Sequence, residues 1–314
     1  MSITPLSTVQ NTRASAEEMP GQSVRFRPMG KKRLILTRFL RNRLAVFGVF
    51  LLALLSAFAL FGHHLTPWQY TEQDFLNLGT GPSAEHWLGT NSAGVDMVAL
   101  LAQGTRTSLM IGLIVGVLTP LMSLLAGCAM AYFGKWVDRT LMWLIEALIM
   151  FPQIILIGII MTGRDGGPVT LAFIMVFFGW MASARLIRGM SLSFVDRDFV
   201  KAARFMGVHP LRIVWRHLAP NLASLAIINA TTSVWGAILA EISLSFLGIG
   251  VSVPETSLGL LIFQARSYVF GQQPWMFWAP VIAFGLIVAA LMLINDGLRD
   301  ALDPESRAGG RATA

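Results

Sequence analysis

Six stretches of this chain run without a lysine or arginine for long enough to cross a hydrocarbon layer, and that leaves few folds open. They cover approximately 44–62, 108–133, 140–162, 167–184, 222–247 and 276–294. A helix needs roughly 20 residues to cross about 30 Å of hydrocarbon. With 54% hydrophobic and 13% charged residues, the composition excludes a soluble domain with a large core. The expectation is an all-α, polytopic membrane protein with six transmembrane helices.

The cations are distributed as such a topology requires. If residues 1–43 lie inside, the alternation also puts 134–139, 185–221 and 295–314 inside, and these segments hold 21 of the 24 Lys and Arg. Only Arg106, Arg164 and Arg266 fall on the other side. That asymmetry fits the positive-inside rule with both termini cytoplasmic. The net charge of +7 is therefore topological and needs no nucleic-acid partner. The basic residues from Lys31 to Arg43 can also rest against anionic lipid heads.

The first apolar run carries small residues near its end, Ser56, Ala57 and Ala59, but a basic leader of 43 residues is too long for a cleaved signal, so it reads as an anchor. Residues 1–24, rich in Ser, Thr, Gln and Glu, read as a disordered tail, so that 1–33 and 306–314 are expected to be tails around a transmembrane unit at 34–305. The lone Cys128 excludes a disulfide within the chain. His63, His64 and His86 lack regular ligand spacing, so they read as interfacial or solvated rather than metal-binding. Trp68, Tyr70, Trp87, Tyr268, Trp275 and Trp278 lie near span ends, where such rings anchor in headgroups. Pro120, Pro152 and Pro280 fall within spans and suggest kinks, while Gly112 and Gly116, four apart, permit close helix approach.

Two acids lie within apolar runs, Glu146 in the third and Glu241 in the fifth. Intramembrane acids are candidates for proton or ion sites, but each lies about two turns from a span end, and structural hydrogen bonding is the competing reading.

Between the fourth and fifth runs lies a basic insert, DFVKAARFMGVHPLRIVWRHLAPN, at 198–221. Phe199, Ala202, Ala203 and Met206 recur at helical spacing, as do Leu211, Val214, Trp215 and Leu218. Two short amphipathic helices are expected, divided by Gly207, the second begun by Pro210 and ended by Pro220. Lys201, Arg204, Arg212, Arg216 and His217 occupy the other faces. Such stripes bury themselves either in lipid or in a partner's groove, and periodicity alone does not choose.

The order Ala202-Ala203, Gly207, then Pro220 thirteen positions on resembles the EAA loop of bacterial ABC importer permeases. HWLGTNSAGVDMV (86–98), AYFGKWVDRTLMWLIEALIMFP (131–152), AEISLSFLGIGV (240–251) and DGLRDALDP (296–304) look like the second, C-type membrane subunit of oligopeptide and dipeptide transporters. Lys201 stands where the loop usually has Glu, and Ala219 where Leu is expected. Asn91 and Val95 replace an Asp and an Arg of the external block, with Asp96 retained.

The resemblance implies a type I importer permease in the bacterial cytoplasmic membrane. Its partners would be a sister permease, two ATP-binding subunits or one fused ATPase, and an extracytoplasmic peptide-binding protein. The coupling loop would be 189–221, with Asp198, Phe199, Lys201, Ala202, Ala203, Met206, Gly207, His209, Arg212 and Pro220 facing the ATPase. Ala202 and Ala203 would allow close approach there. Binding-protein contacts would lie in 63–107 and 248–275. The chain has no G-x-x-x-x-G-K-[ST] loop, so it is expected to be no enzyme and to hold no cofactor or metal; ATP and Mg would be bound by the partners. Three alternatives stay open: a permease for nickel or another small solute, a proton-coupled transporter using Glu146 or Glu241, and a scaffold that moves nothing.

Overall fold

The computed structural model describes residues 31–161 and 167–302, so the C-terminal tail, Arg164 and residues 1–30 of the expected N-terminal tail lie outside the described residues, while 31–33 of that tail begin a helix. The described part is helical, with one isolated antiparallel bridge between Thr90 and Asp96. In chain order the helices are α1 (Lys31–Arg41), α2 (Arg43–Phe61), α3 (Met97–Phe133), α4 (Lys135–Ile149), α5 (Gln153–Met161), α6 (Pro168–Val195), α7 (Asp198–Phe205), α8 (Pro210–Ile213), α9 (Ala219–Phe246), α10 (Leu258–Gln264) and α11 (Pro274–Leu302). Five helical segments are each long and apolar enough to span a membrane: Arg43–His64, Met97–Phe133, Pro168–Val195, Pro210–Phe246 and Pro274–Leu302.

The expected third span is different. It is broken into α4 and α5, which meet at 82°. Pro152 lies at this break rather than inside a span. Proline disfavours helical geometry in the residue before it, here Phe151, and offers no N–H of its own. The Leu148 carbonyl is taken instead by Phe151 N at 3.3 Å. Pro120 and Pro280, by contrast, do lie inside α3 and α11.

The central helix is α3, packed chiefly against α6 and α9. Gly116 lets α9 in: a Cβ there would stand 2.2 Å from a Val234 methyl and 3.2 Å from the Ala230 carbonyl. Around α3 the core is apolar, with Ile111, Val115, Leu171, Met181 and Leu244 buried. A second pair, α2 and α11, packs along the side of the bundle. Asn42 starts α2 by accepting from Leu44 and Ala45 N–H at 3.1 and 3.2 Å and donates to Asp300 at 3.3 Å, tying the entry of α2 to the end of α11.

The ends of this bundle differ. The one reached by α1, the start of α4, the end of α6 and α7–α8 is basic and will be called the basic end. The other, the far end, carries the long segment before α3 and the segment between α9 and α11.

Candidate functional site

At the basic end the chain leaves α6, turns through α7 and α8, and re-enters the bundle as α9. Asp198 sits in the first turn of α7, where a carboxylate favours the positive helix terminus. Gly207 closes α7 with φ +72°. Val208 N donates to the Ala203 carbonyl and Gly207 N to the Arg204 carbonyl, both at 3.1 Å. This reciprocal pair is the six-to-one, five-to-two closure that requires a left-handed residue after the helix cap. His209 then caps α8 with its backbone, Arg212 and Ile213 N donating to its carbonyl, and Pro210 takes the first turn.

The second helix does not end at Pro220. From Pro210 to Phe246 the chain is one continuous helix, with a single π turn over Val214–Leu218 in which Ala219 N donates to the Val214 carbonyl. Widening by one residue absorbs the donor that Pro220 lacks. The Asn221 amide, donating to the His217 carbonyl at 2.6 Å, covers an acceptor beside the proline. The second half of the insert, from Pro210 on, is thus continuous with a membrane helix.

Both expected apolar stripes are split between two directions. Val200, Ala203, Ile213, Val214 and Leu218 are buried against Leu124 and Cys128 of α3 and Ile187 of α6. Ala203, expected to face a partner, instead packs into its own bundle, and its small size serves that contact. Phe199, Ala202 and Met206 point outward, as do Leu211 and Trp215. Phe205, which the periodicity did not single out, is 90% exposed, and Met206 75%. Lys201, Arg204, His209, Arg212, Arg216 and Pro220 are exposed around them. The Arg204 guanidinium lies 5.0 Å from the Tyr132 ring centre, and Arg197 5.3 Å from that of Phe194, so cation–π contacts fasten the insert while leaving positive charge at its rim. Nearby, Arg188 of α6 grips Asp138 of α4 with both arms of its fork, one at 2.6 Å.

The two intramembrane acids part company. Glu146 is exposed on α4. Glu241 is fully buried and holds three helices together. Its Oε1 accepts from Ser245 at 2.8 Å and Ser257 at 2.6 Å, its Oε2 from Ser108 of α3 at 3.3 Å, and the Gly259 backbone also hydrogen-bonds to it. Ser257 in turn caps α10, and Ser108 accepts from Leu258 N at 3.1 Å. Every hydroxyl is committed, which is the structural reading of that acid.

At the far end, His63 and His64 are exposed, but His86 is buried, contrary to the solvated reading. Its Nδ1 is 2.9 Å from Asp96 and its Nε2 3.4 Å from Asp74. Asp96 also caps α3 through Ala99 N at 2.9 Å. Asp74 accepts from Asn77 at 2.7 Å and Leu76 N at 2.9 Å, and these bonds hold its carboxyl below the usual value. Trp275, expected as a headgroup anchor, donates to the Thr90 carbonyl at 3.2 Å and pins this segment to α11.

A bundle of this kind, with a basic rim and an apolar knob built onto one membrane helix, belongs to the class of polytopic membrane proteins, and comparison with known proteins makes the class specific. The family of binding-protein-dependent transport system inner membrane components matches residues 123–308, and the N-terminal transmembrane domain of oligopeptide transport permease C matches residues 32–82. The chain belongs to the family of binding-protein-dependent transport system inner membrane components. It is 43% identical over 282 residues to the oligopeptide transport system permease protein OppC of Mycobacterium tuberculosis, covering 88% of this chain and 96% of that one. It is 31% identical over 270 residues to the dipeptide transport system permease protein DppC of Bacillus subtilis, covering 86% and 84%. Among solved structures, the inward-facing MetNI methionine ABC transporter aligns with TM-score 0.52 at 18% identity, over 66% of this chain and 98% of the matched chain. That similarity shows a shared ABC-permease fold.

Proposed function

We propose that this chain is the C-type membrane subunit of an ATP-driven peptide importer in a bacterial cytoplasmic membrane, with its basic end cytoplasmic. Together with a sister permease it would form the translocation pathway, and two ATPase subunits or one fused ATPase would drive it. The observation that carries this reading is the knob itself. Phe199, Phe205 and Met206 on α7, and Leu211 and Trp215 on the helix that continues into α9, are held out of the bundle. Burying a large apolar side chain is worth about 1.5–3 kcal/mol, so a face of five such residues calls for a protein groove. The basic rim from Lys201 to Arg216 suits an acidic border on that groove. Because the π turn joins α8 to α9 without a break and α7 packs beside α8 through Val200 and Ala203, displacement of the knob would move α9 as a lever. ATP binding can drive that motion only if the ATPase pair grips the knob differently in its two states.

The peptide assignment rests on the names and extent of the relatives. A mid-bundle cavity of about 220 Å³ supports it, lined by Thr119, Gln153, Gly179, Ser233 and Gly236 among apolar neighbours. Among the described residues no charged side chain lines it, as suits a path that must pass many sequences. At the far end a groove of about 660 Å³ between the segment before α3 and the segment after α9, with Tyr70, Val253, Glu255 and Arg266 in its walls, is the proposed seat of a peptide-binding protein.

The test is uptake of labelled peptide by cells carrying Phe205→Glu with Met206→Glu. Loss of uptake with normal amounts of the subunit in the membrane supports coupling through the knob; undiminished uptake removes it.

A further inference from the structure

On the side of α3 away from the mid-bundle cavity lies a second cavity, of about 460 Å³, between α3, the end of α2 and the segment that follows it. Ala59 and His63 form one wall, Trp68 and Tyr70 another, and Gln103 and Arg106 of α3 the third. Among the described residues no carboxylate lines it, and Arg106 has neither an ion pair nor a hydrogen-bond partner there.

Helix geometry gives its surroundings. Leu113 and Val117, seven and eleven residues on, share its face of α3 and are both exposed. Val115 and Thr119, which line the mid-bundle cavity, lie on the opposite face. The Arg106 face is therefore turned to the apolar exterior. Arg106 is 27 residues from Phe133 at the basic end of α3, about 40 Å along the helix. Hydrocarbon occupies only about 30 Å of that length, so the guanidinium reaches the headgroup layer at the far end while Leu113 and Val117 stay among acyl chains. Trp68 and Tyr70, which line the same cavity, are residue types that favour that layer.

We infer that this cavity binds the phosphate of a phospholipid. The Arg106 fork takes the phosphate oxygens, Gln103 and His63 offer further polar contacts, and the acyl chains descend over Leu113 and Val117. Arginine suits this role because its planar fork matches phosphate geometry and is weakly hydrated. The inference uses the membrane-spanning fold alone and is independent of what the subunit transports.

The transporter, purified with its copurifying subunits, is incubated with phosphatidylglycerol, and the retained lipid is counted by native mass spectrometry. Arg106→Gln is expected to retain about fivefold less, and Arg299→Gln, near the opposite end of the bundle on α11, as much as the wild type. Arg106→Lys, which keeps the charge without the fork, should fall between them and guards against a folding defect. Diacylglycerol, which lacks the phosphate, should not be held. Inorganic phosphate at millimolar concentration should fail to displace the lipid. Equal retention by Arg106→Gln and wild type would overturn the site, and displacement by inorganic phosphate would reassign it to a free anion and overturn the lipid reading.

Discussion

Glu241 shows how much a single buried carboxylate can organise, and why its chemistry is structural. Ser108, Ser245 and Ser257 come from three different parts of the chain and converge on it. Glu241→Leu removes the acceptor from three buried hydroxyls, each costing about 1–3 kcal/mol when unsatisfied, and should prevent stable accumulation of the subunit. Glu241→Gln keeps one carboxamide oxygen for Ser245 and Ser257 and should preserve both accumulation and uptake. A proton carrier would instead be silenced by that change, so uptake by Glu241→Gln, with and without an uncoupler, separates the two roles. Gly207 is a second residue with a local cause. Its φ of +72° is left-handed, and a Cβ added there would meet nothing within 4 Å, so Gly207→Ala should cost about 1–2 kcal/mol through backbone strain alone. Thermal unfolding of the purified subunit, compared with the wild type, measures this; a larger loss would mean a steric clash.

At the scale of elements, what the sequence revealed depended on whether one face or two carried apolar residues. Five of the six spans were legible as single helices because each is apolar over most of its length. The two short helices were also legible, with Gly207 and Pro210 in their expected places. Which side of them faced inward was not, because Val200 and Phe199 are both apolar neighbours on α7 and periodicity cannot choose between them. Hence Ala203 was expected outside and is inside, and Phe205 was passed over. Pro220 misled for a different reason: a π turn lets a proline enter a continuing helix, and no local residue announces the extra width. Pro152 misled in the opposite sense, since it lies where two helices meet at 82° and an unbroken run of apolar residues carries no sign of that angle. The His86–Asp96 pair was hidden because its ten-residue separation matches no helical or ligand spacing, and only the turn around Thr90 brings the two together. That far-end segment has a pH signature. Asp74 has its carboxyl held below its ordinary value of 3.8 by Asn77 and Leu76, so its contribution is complete above that value and is lost as pH falls through the lowered folded-state value. Limited proteolysis between the first two spans should therefore be slow at neutral pH and accelerate only in strongly acidic buffer, and Asp74→Asn should flatten that dependence.

At the scale of the whole molecule, the account joins three surfaces: a knob at the basic end, an uncharged mid-bundle cavity and a groove at the far end. The family assignment was legible from sequence blocks spread along most of the chain. The surfaces were not, because each is built from segments far apart in sequence, as Thr119, Gln153 and Ser233 are in the cavity. The central claim is that Phe205 and Met206 enter a groove on an ATPase. Placing a photo-crosslinking residue at Phe205, and a control at Val117 on the exposed face of α3, tests it in intact membranes. The account predicts that the Phe205 adduct contains a nucleotide-binding ATPase subunit, that nucleotide changes its yield, and that the Val117 position gives no such adduct. Adducts at Phe205 with lipid alone, in membranes where the ATPase is present, would contradict it.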